Sequence, residues 1–169
     1  MPKEIEGKDA DEWRGDGNSC ISSKNYQQAI ECFENAIEIG FKDKIILKMT
    51  LYSTGSAYYF IENYHKAIEY YNKVVKKDSN FVYAWYGLGL AYSKTNNYKK
   101  AINCYEKSLI VDPKKPVVLP NRLEAWKNMG NAYKELKNHG KAIDCYKNAL
   151  EINPDNEEVK DSLKILEPK

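Results

Sequence analysis

Long apolar runs are missing from this chain of 169 residues. No stretch approaches the roughly 20 apolar residues that a membrane-spanning helix needs. The opening Met1-Pro2-Lys3-Glu4-Ile5-Glu6 lacks the apolar centre of a signal peptide. A strong charge of one sign is missing too: 26 Lys and Arg face 24 Asp and Glu, for a net charge of +2. Bulk electrostatics therefore favour neither nucleic acid nor an anionic membrane surface. Histidine is down to His65 and His139, and neither sits in an arrangement with Cys, Ser or carboxylate that nucleophilic or metal chemistry uses. No phosphate-cradling glycine loop and no CxxC pair appears. These absences lead us to expect a cytoplasmic, non-catalytic chain of one domain's size, with no cofactor and no metal.

What the chain does have is repetition. Trp85–Pro113 reads W-Y-G-L-G-L-A-Y-S-K-T-N-N-Y-K-K-A-I-N-C-Y-E-K-S-L-I-V-D-P. Counting from the leading large residue, glycine falls at +4, an aromatic at +7, alanine at +16, an aromatic at +20 and a small residue at +23. Trp85 is followed by Gly89, Tyr92, Ala101, Tyr105 and Ser108; Trp126 by Gly130, Tyr133, Ala142, Tyr146 and Ala149. Leu51 leads Gly55, Tyr58, Ala67, Tyr71 and Val74, and Trp13 leads Gly17, Cys20, Ala29, Phe33 and Ala36. This pattern resembles the tetratricopeptide (TPR) repeat, whose W-x2-L-G-x2-Y…A-x3-F…P signature it follows. The fold expected is all-α: a right-handed α-solenoid of four TPR helical hairpins plus a C-terminal capping helix.

The repeats cover about 10–43, 48–81, 82–115 and 123–156, within a single domain spanning 10–166 after a frayed tail of mixed charge at 1–9. Large and small residues recur at helical spacing, so each repeat reads as two helices. A glycine inside a helix costs about 1 kcal/mol against alanine, and four at one place imply a packing demand. Asn25, Asn63, Asn97 and Asn138 occupy the turns, where asparagine tolerates the left-handed conformation that often ends a helix. Spacing between repeats varies. Ala29 to Ala67 is 38 residues, an excess assigned to longer helix around Lys44-Ile45-Ile46-Leu47. Ala101 to Ala142 is 41, an excess assigned to the loop Pro113-Lys-Lys-Pro116-Val-Val-Leu-Pro120, with Asn121 and Glu124 as the next capping box. Residues 156–166 carry Val159, Leu163 and Leu166 on one stripe, fitting a helix that covers the last hairpin. Cys32, Cys104 and Cys145 share one place in the pattern and read as buried free thiols. The first repeat matches least well, with Asp16 for an apolar residue, Cys20 for tyrosine and Gly15 beside Gly17; its first helix is expected to be the least stable of nine.

Function points to binding. The first helices of repeats two and three carry a second apolar stripe, at −2, +1, +5, +8 and +9 from the leading residue. Repeat two places Met49, Tyr52, Ser56, Tyr59 and Phe60 there, and repeat three places Tyr83, Tyr86 and Leu90. A helix apolar nearly all round is either buried or waiting for a partner. The TPR resemblance implies that first helices line a concave face and that this stripe meets a ligand peptide. The same positions are Asp11, Arg14, Asn18, Ile21 and Ser22 in repeat one, and Glu124, Lys127, Asn131, Lys134 and Glu135 in repeat four. The expected groove is thus aromatic at its centre and polar, partly basic, at its ends. It suits a protein or peptide segment with apolar anchors and an acidic flank. Tyrosine suits it by combining apolar area with a hydroxyl; some of these tyrosines also serve as consensus packing residues.

Two further readings stand beside this one. TPR co-chaperones hold an acidic EEVD tail with a carboxylate clamp. Arg14 and Asn18 match its opening pair, and Lys127 and Asn131 repeat it. Ser53, Tyr86 and Leu90 occupy the places of the remaining asparagine and basic residues, so a full clamp is absent. Self-assembly is the other reading, through the aromatic face or Val117-Val118-Leu119, giving a homo-oligomer. RNA would need a continuous basic groove, which Asp11, Glu124, Glu135 and the apolar centre interrupt.

Overall fold

A computed structural model describes residues 5, 7–110 and 122–166. The described residues fold into nine α-helices and no strand beyond one isolated bridge, Ile5 to Lys8. They fall into two compact units, Met1–Asn80 and Phe81–Lys169. The loop Pro113–Pro120, the Asn121 cap and Val117-Val118-Leu119 lie outside the described residues.

The first unit holds α1 (Ala10–Ser22), α2 (Tyr26–Ile39), α3 (Lys44–Phe60) and α4 (Tyr64–Lys77). Asp9 starts α1: its carboxylate accepts from the Asp11 and Glu12 amides, while Glu12 accepts the Asp9 amide at 2.8 Å. This reciprocal capping box satisfies donors that a helix start leaves orphaned. Upstream, Trp13 Nε1 donates to the Ile5 carbonyl at 3.1 Å, and Ile5 packs on the cluster holding Trp13. Ile5 is thus held against α1, because Trp13 offers it both an apolar surface and a donor. Asp43 caps α3, which runs for 17 residues where the other helices run 10 to 14. The long spacing between repeats one and two has become one extra helical turn.

The second unit holds α5 (Val82–Lys94), α6 (Tyr98–Leu109), α7 (Arg122–Glu135), α8 (His139–Ile152) and α9 (Glu157–Leu166). Consecutive helices pair as hairpins, and α9 covers α8 by laying fully buried Val159, with Leu163 and Leu166, on Ala142, Tyr146 and Ala149. These three residues keep the apolar face of α8 out of water.

One contact repeats in all four hairpins. A methyl added to Gly17 would lie 2.5 Å from the Phe33 ring, one on Gly55 2.9 Å from Tyr71 and one on Gly130 2.6 Å from Tyr146; Gly89 meets Tyr105 in the same way. All four rings are buried. The +4 glycine therefore exists because the +20 ring occupies the space a side chain would need, and the helix accepts its propensity cost for that closeness.

The turns correct one expectation. The left-handed residues are Lys24, Glu62, Asn96 and Lys137, each one position before the asparagine assigned that role. Asn25, Asn63, Asn97 and Asn138 have φ between −80° and −90° and stand at the N-cap of the second helix. Each hairpin closes with a double backbone bond, such as Asn25 N–H to the Cys20 carbonyl and Lys24 N–H to the Ile21 carbonyl. That geometry dictates the left-handed residue by position rather than by side chain. Asn63 and Asn138 use their side chains to accept the amides of Lys66 and Lys141.

Candidate binding surface

In the first unit the candidate surface is the face of α3. Met49, Tyr52, Ser56 and Tyr59 follow one another at helical spacing, and Ile45 extends the line by one turn. Ile45 is 65% exposed, Met49 43% and Phe60 58%, while Tyr52 and Tyr59 are half-buried. The half-buried members lean on α4. Tyr52 sits 5.8 Å from the Tyr71 ring, the Tyr71 hydroxyl donates to Ser56 Oγ at 3.1 Å, and Tyr59 meets Tyr64 edge-on at 5.4 Å. Burial raises the Tyr59 phenol above its ordinary value, with Tyr64 adding to the effect. Phe60 points elsewhere: it stacks on Tyr26 of α2 at 4.7 Å. On α1, Arg14 is half-buried with its Nε 3.6 Å from Asp11, and Asn18 is exposed.

In the second unit Tyr83, Tyr86 and Leu90 are half-buried on α5. Tyr83 packs on Val82 and Ala125, and Leu90 joins the cluster of Met129, Ala132 and Tyr105. Tyr86 tilts against Tyr105 at 6.1 Å, and its hydroxyl accepts from Asn128 Nδ2 at 3.4 Å. Two polar members on α7, Asn131 and Lys127, are already engaged by α8, by α7 itself and by α9. Tyr146 donates to Asn131 Oδ1 at 2.7 Å. Lys127 reaches Glu124 at 2.8 Å and Glu158 of α9 at 2.9 Å, with its side chain only 12% exposed. Burial works against the Lys127 charge, but the two carboxylate hydrogen bonds outweigh it and hold its pKa above the usual value. Lys134 is half-exposed at the next turn.

A half-buried polar link joins three helices of the first unit. Glu34 Oε1 on α2 accepts from Tyr58 of α3 and from Tyr70 of α4, both at 2.8 Å. The two rings stack at 5.5 Å. Burial, then the hydrogen bond to Glu34, pushes the Tyr58 phenol up to about 12 and raises Tyr70 as well. In the second unit burial, and then the charge of Glu106, raise the Tyr133 phenol. Position +21 of one repeat thus pairs with +7 of the next, a register that only the shared +7 tyrosine could have signalled. Cys32, Cys104 and Cys145 are buried free thiols and Cys20 is half-buried. Burial pushes Cys104 up to about 11 and Cys145 to about 12. Among the described residues no cluster of His, Cys, Asp and Glu offers a metal three ligands. No described helix is long and apolar enough to cross a membrane.

Stacked helical hairpins with a close glycine–aromatic contact in each, and half-open apolar faces on the first helices, define an all-α helical-repeat protein of the solenoid class. Tetratricopeptide repeat models match residues 82–115 and 123–156, and a second tetratricopeptide repeat model matches 17–78. The chain belongs to the tetratricopeptide repeat family, whose members bind peptides or proteins. Among solved structures it is similar to YrrB, described as a TPR protein with an unusual peptide-binding site. The identity is 21%, with 92% of this chain and 74% of that one covered at a TM-score of 0.77. It is similar also to MamA from Desulfovibrio magneticus RS-1, at 21% identity, 93% and 82% coverage and a TM-score of 0.80. A third likeness, to a chain of the APC/C hetero-tetramer Cut9-Hcn1, has 21% identity and a TM-score of 0.71 over 91% of this chain and 29% of that one. Likeness at this level of identity concerns the fold. No curated protein matches the chain by sequence.

Proposed function

We propose that this protein is a non-catalytic adaptor whose first helices hold a peptide segment of a partner protein, one with apolar anchors and an acidic flank. The observation that carries this reading is the face of α3. Ile45 and Met49 remain exposed in line with half-buried Tyr52 and Tyr59, whose rings rest on α4. Apolar area next to tyrosine hydroxyls suits a segment that brings large side chains and a backbone needing hydrogen bonds. Similarity to YrrB, a TPR protein with a peptide-binding site, is in keeping with it.

The test is Tyr52→Ala combined with Tyr86→Ala, assayed against a peptide library varying apolar anchors and acidic flanks. Loss of binding with helicity and melting midpoint nearly kept supports the reading. A collapse in melting temperature would assign both tyrosines to packing alone. The co-chaperone reading is weaker, because Lys127 is already paired with Glu158 of α9 and Asn131 with Tyr146 of α8, and Ser53, Tyr86 and Leu90 stand where the clamp needs other groups. Self-assembly through the same face would show as mass rising across a concentration series in light scattering.

A further inference from the structure

In these hairpins the +7 position of the first helix faces the +19 position of the second. Repeat two shows it as Tyr58 stacked on Tyr70, and in repeat four Tyr133 packs on the cluster that holds Cys145. In repeat one the same two positions are Cys20 and Cys32. Both line one open depression with Trp13, Ser19 and Gln28, in the room where the other repeats carry a phenol ring. The close approach of α1 to α2 is set beside them by Gly17 against Phe33, three residues before Cys20 and one after Cys32. Cys20 is half-exposed, whereas Cys32 is 4% exposed. Burial, and then the neighbouring Cys20, raise the Cys32 thiol above its ordinary value. Cys104 and Cys145 are buried with a tyrosine at the facing +7 position instead of a second thiol.

We propose that Cys20 and Cys32 form a reversible thiol–disulfide site that takes a low-molecular-weight disulfide as oxidant and clamps α1 to α2. Cys20, the open thiol, loses its proton and attacks one sulfur of the small disulfide. The small S–S bond breaks, one small thiolate leaves and is protonated, and a mixed disulfide remains on Cys20. Cys32 then loses its proton and attacks Cys20 Sγ, releasing the second small thiolate, which is protonated in turn. The two cysteines are oxidised by two electrons to one disulfide, and the small disulfide is reduced to two thiols. Cys20 goes first because an accessible thiol meets the oxidant, while the buried Cys32 meets only Cys20. The bond would tie down the hairpin whose first helix carries both Gly15 and Gly17.

The test incubates the full chain with oxidised glutathione under native conditions, blocks free thiols and maps the cysteines by mass. The expected product has lost two hydrogens, links Cys20 to Cys32, leaves Cys104 and Cys145 free, returns to the starting mass with dithiothreitol, and exchanges its α1 amides more slowly. Cys32→Ser should accumulate the glutathione adduct on Cys20, and Cys20→Ser should accumulate neither adduct nor bridge. A stable adduct on Cys20 of the unsubstituted chain, with no bridge, overturns the proposal. So does a bridge that speeds α1 exchange, or modification of Cys32 in Cys20→Ser.

Discussion

Tyr146 donates its phenolic hydrogen to Asn131 Oδ1 at 2.7 Å, so a residue placed on the binding stripe is the acceptor for a ring of the core. Tyr71 treats Ser56 the same way at 3.1 Å. Position +5 of the first helix therefore serves the +20 tyrosine of its own hairpin before it serves any ligand. Asn131→Ala removes the acceptor and leaves Ser162 as the remaining partner of the buried Tyr146 hydroxyl, at a cost of about 1 kcal/mol. Chemical denaturation should show that loss, while Asn131→Asp, which keeps an acceptor, should lose less.

The Glu34 link predicts an alkaline limit to stability. Tyr58 is raised from 10.0 to about 12, Cys104 from 9.0 to about 11 and Cys145 from 9.0 to about 12, by burial first in each case. The unfolded chain releases these protons at lower pH than the folded one. The stability they carry is thus complete below pH 9 and is lost as pH rises toward 12. Melting temperature should hold level at neutral pH and fall across that window. Glu34→Gln removes the charge that disfavours tyrosinate, so absorbance titration should show a Tyr58 phenol ionising at lower pH.

Lys127 pairs with Glu124 on its own helix and joins α7 to α9 through Glu158. With its side chain only 12% exposed, this pair is worth more than an open surface contact, yet solvent reaches the Glu158 end. Lys127→Met should cost about 1 kcal/mol or less and should speed amide exchange chiefly in Glu157–Leu166. High salt should narrow the difference from the unsubstituted protein.

These features divide by what sequence can encode. Gly17, Gly55, Gly89 and Gly130 were legible because size is a local property and the ring above each demands its absence. The 17 residues of α3 were legible because an apolar run with no breaker continues a helix. Met49, Tyr52 and Tyr59 lie at helical spacing on α3, a relation that sequence can carry because it depends on one helix alone. What spacing does not carry is who occupies a polar side chain. Lys127 meets Glu158 across 31 residues, and Glu34 meets Tyr58 and Tyr70 across 24 and 36. Each such pair depends on how helices stack, and Lys or Glu on a helix face reads as solvated until the neighbouring helix is in place. The turns failed for a different reason. Asparagine is favoured both in the left-handed conformation and at a helix start, and its side chain alone does not say which.

Gly15 and Gly17 lie two residues apart in α1 and should respond to alanine with opposite signs. Nothing lies within 4 Å of the position a Gly15 methyl would take, whereas a Gly17 methyl would stand 2.5 Å from the buried Phe33 ring. Gly15→Ala gains helix propensity and stiffens the unfolded chain at no steric cost, for about 1 kcal/mol of added stability. Gly17→Ala makes the same gain but must move a ring packed on all sides, and overpacking costs about 1–3 kcal/mol. Because Phe33 is fully buried and its neighbours Ala29 and Ala36 are too, the ring has little room to yield, and the net effect is a loss. Paired melting curves decide it: the first variant should melt above the parent and the second below. Exchange of α1 amides should slow in Gly15→Ala, since α1 is expected to open first. Two shifts of the same sign would mean that helix propensity, not the fit of α1 on Phe33, governs this hairpin.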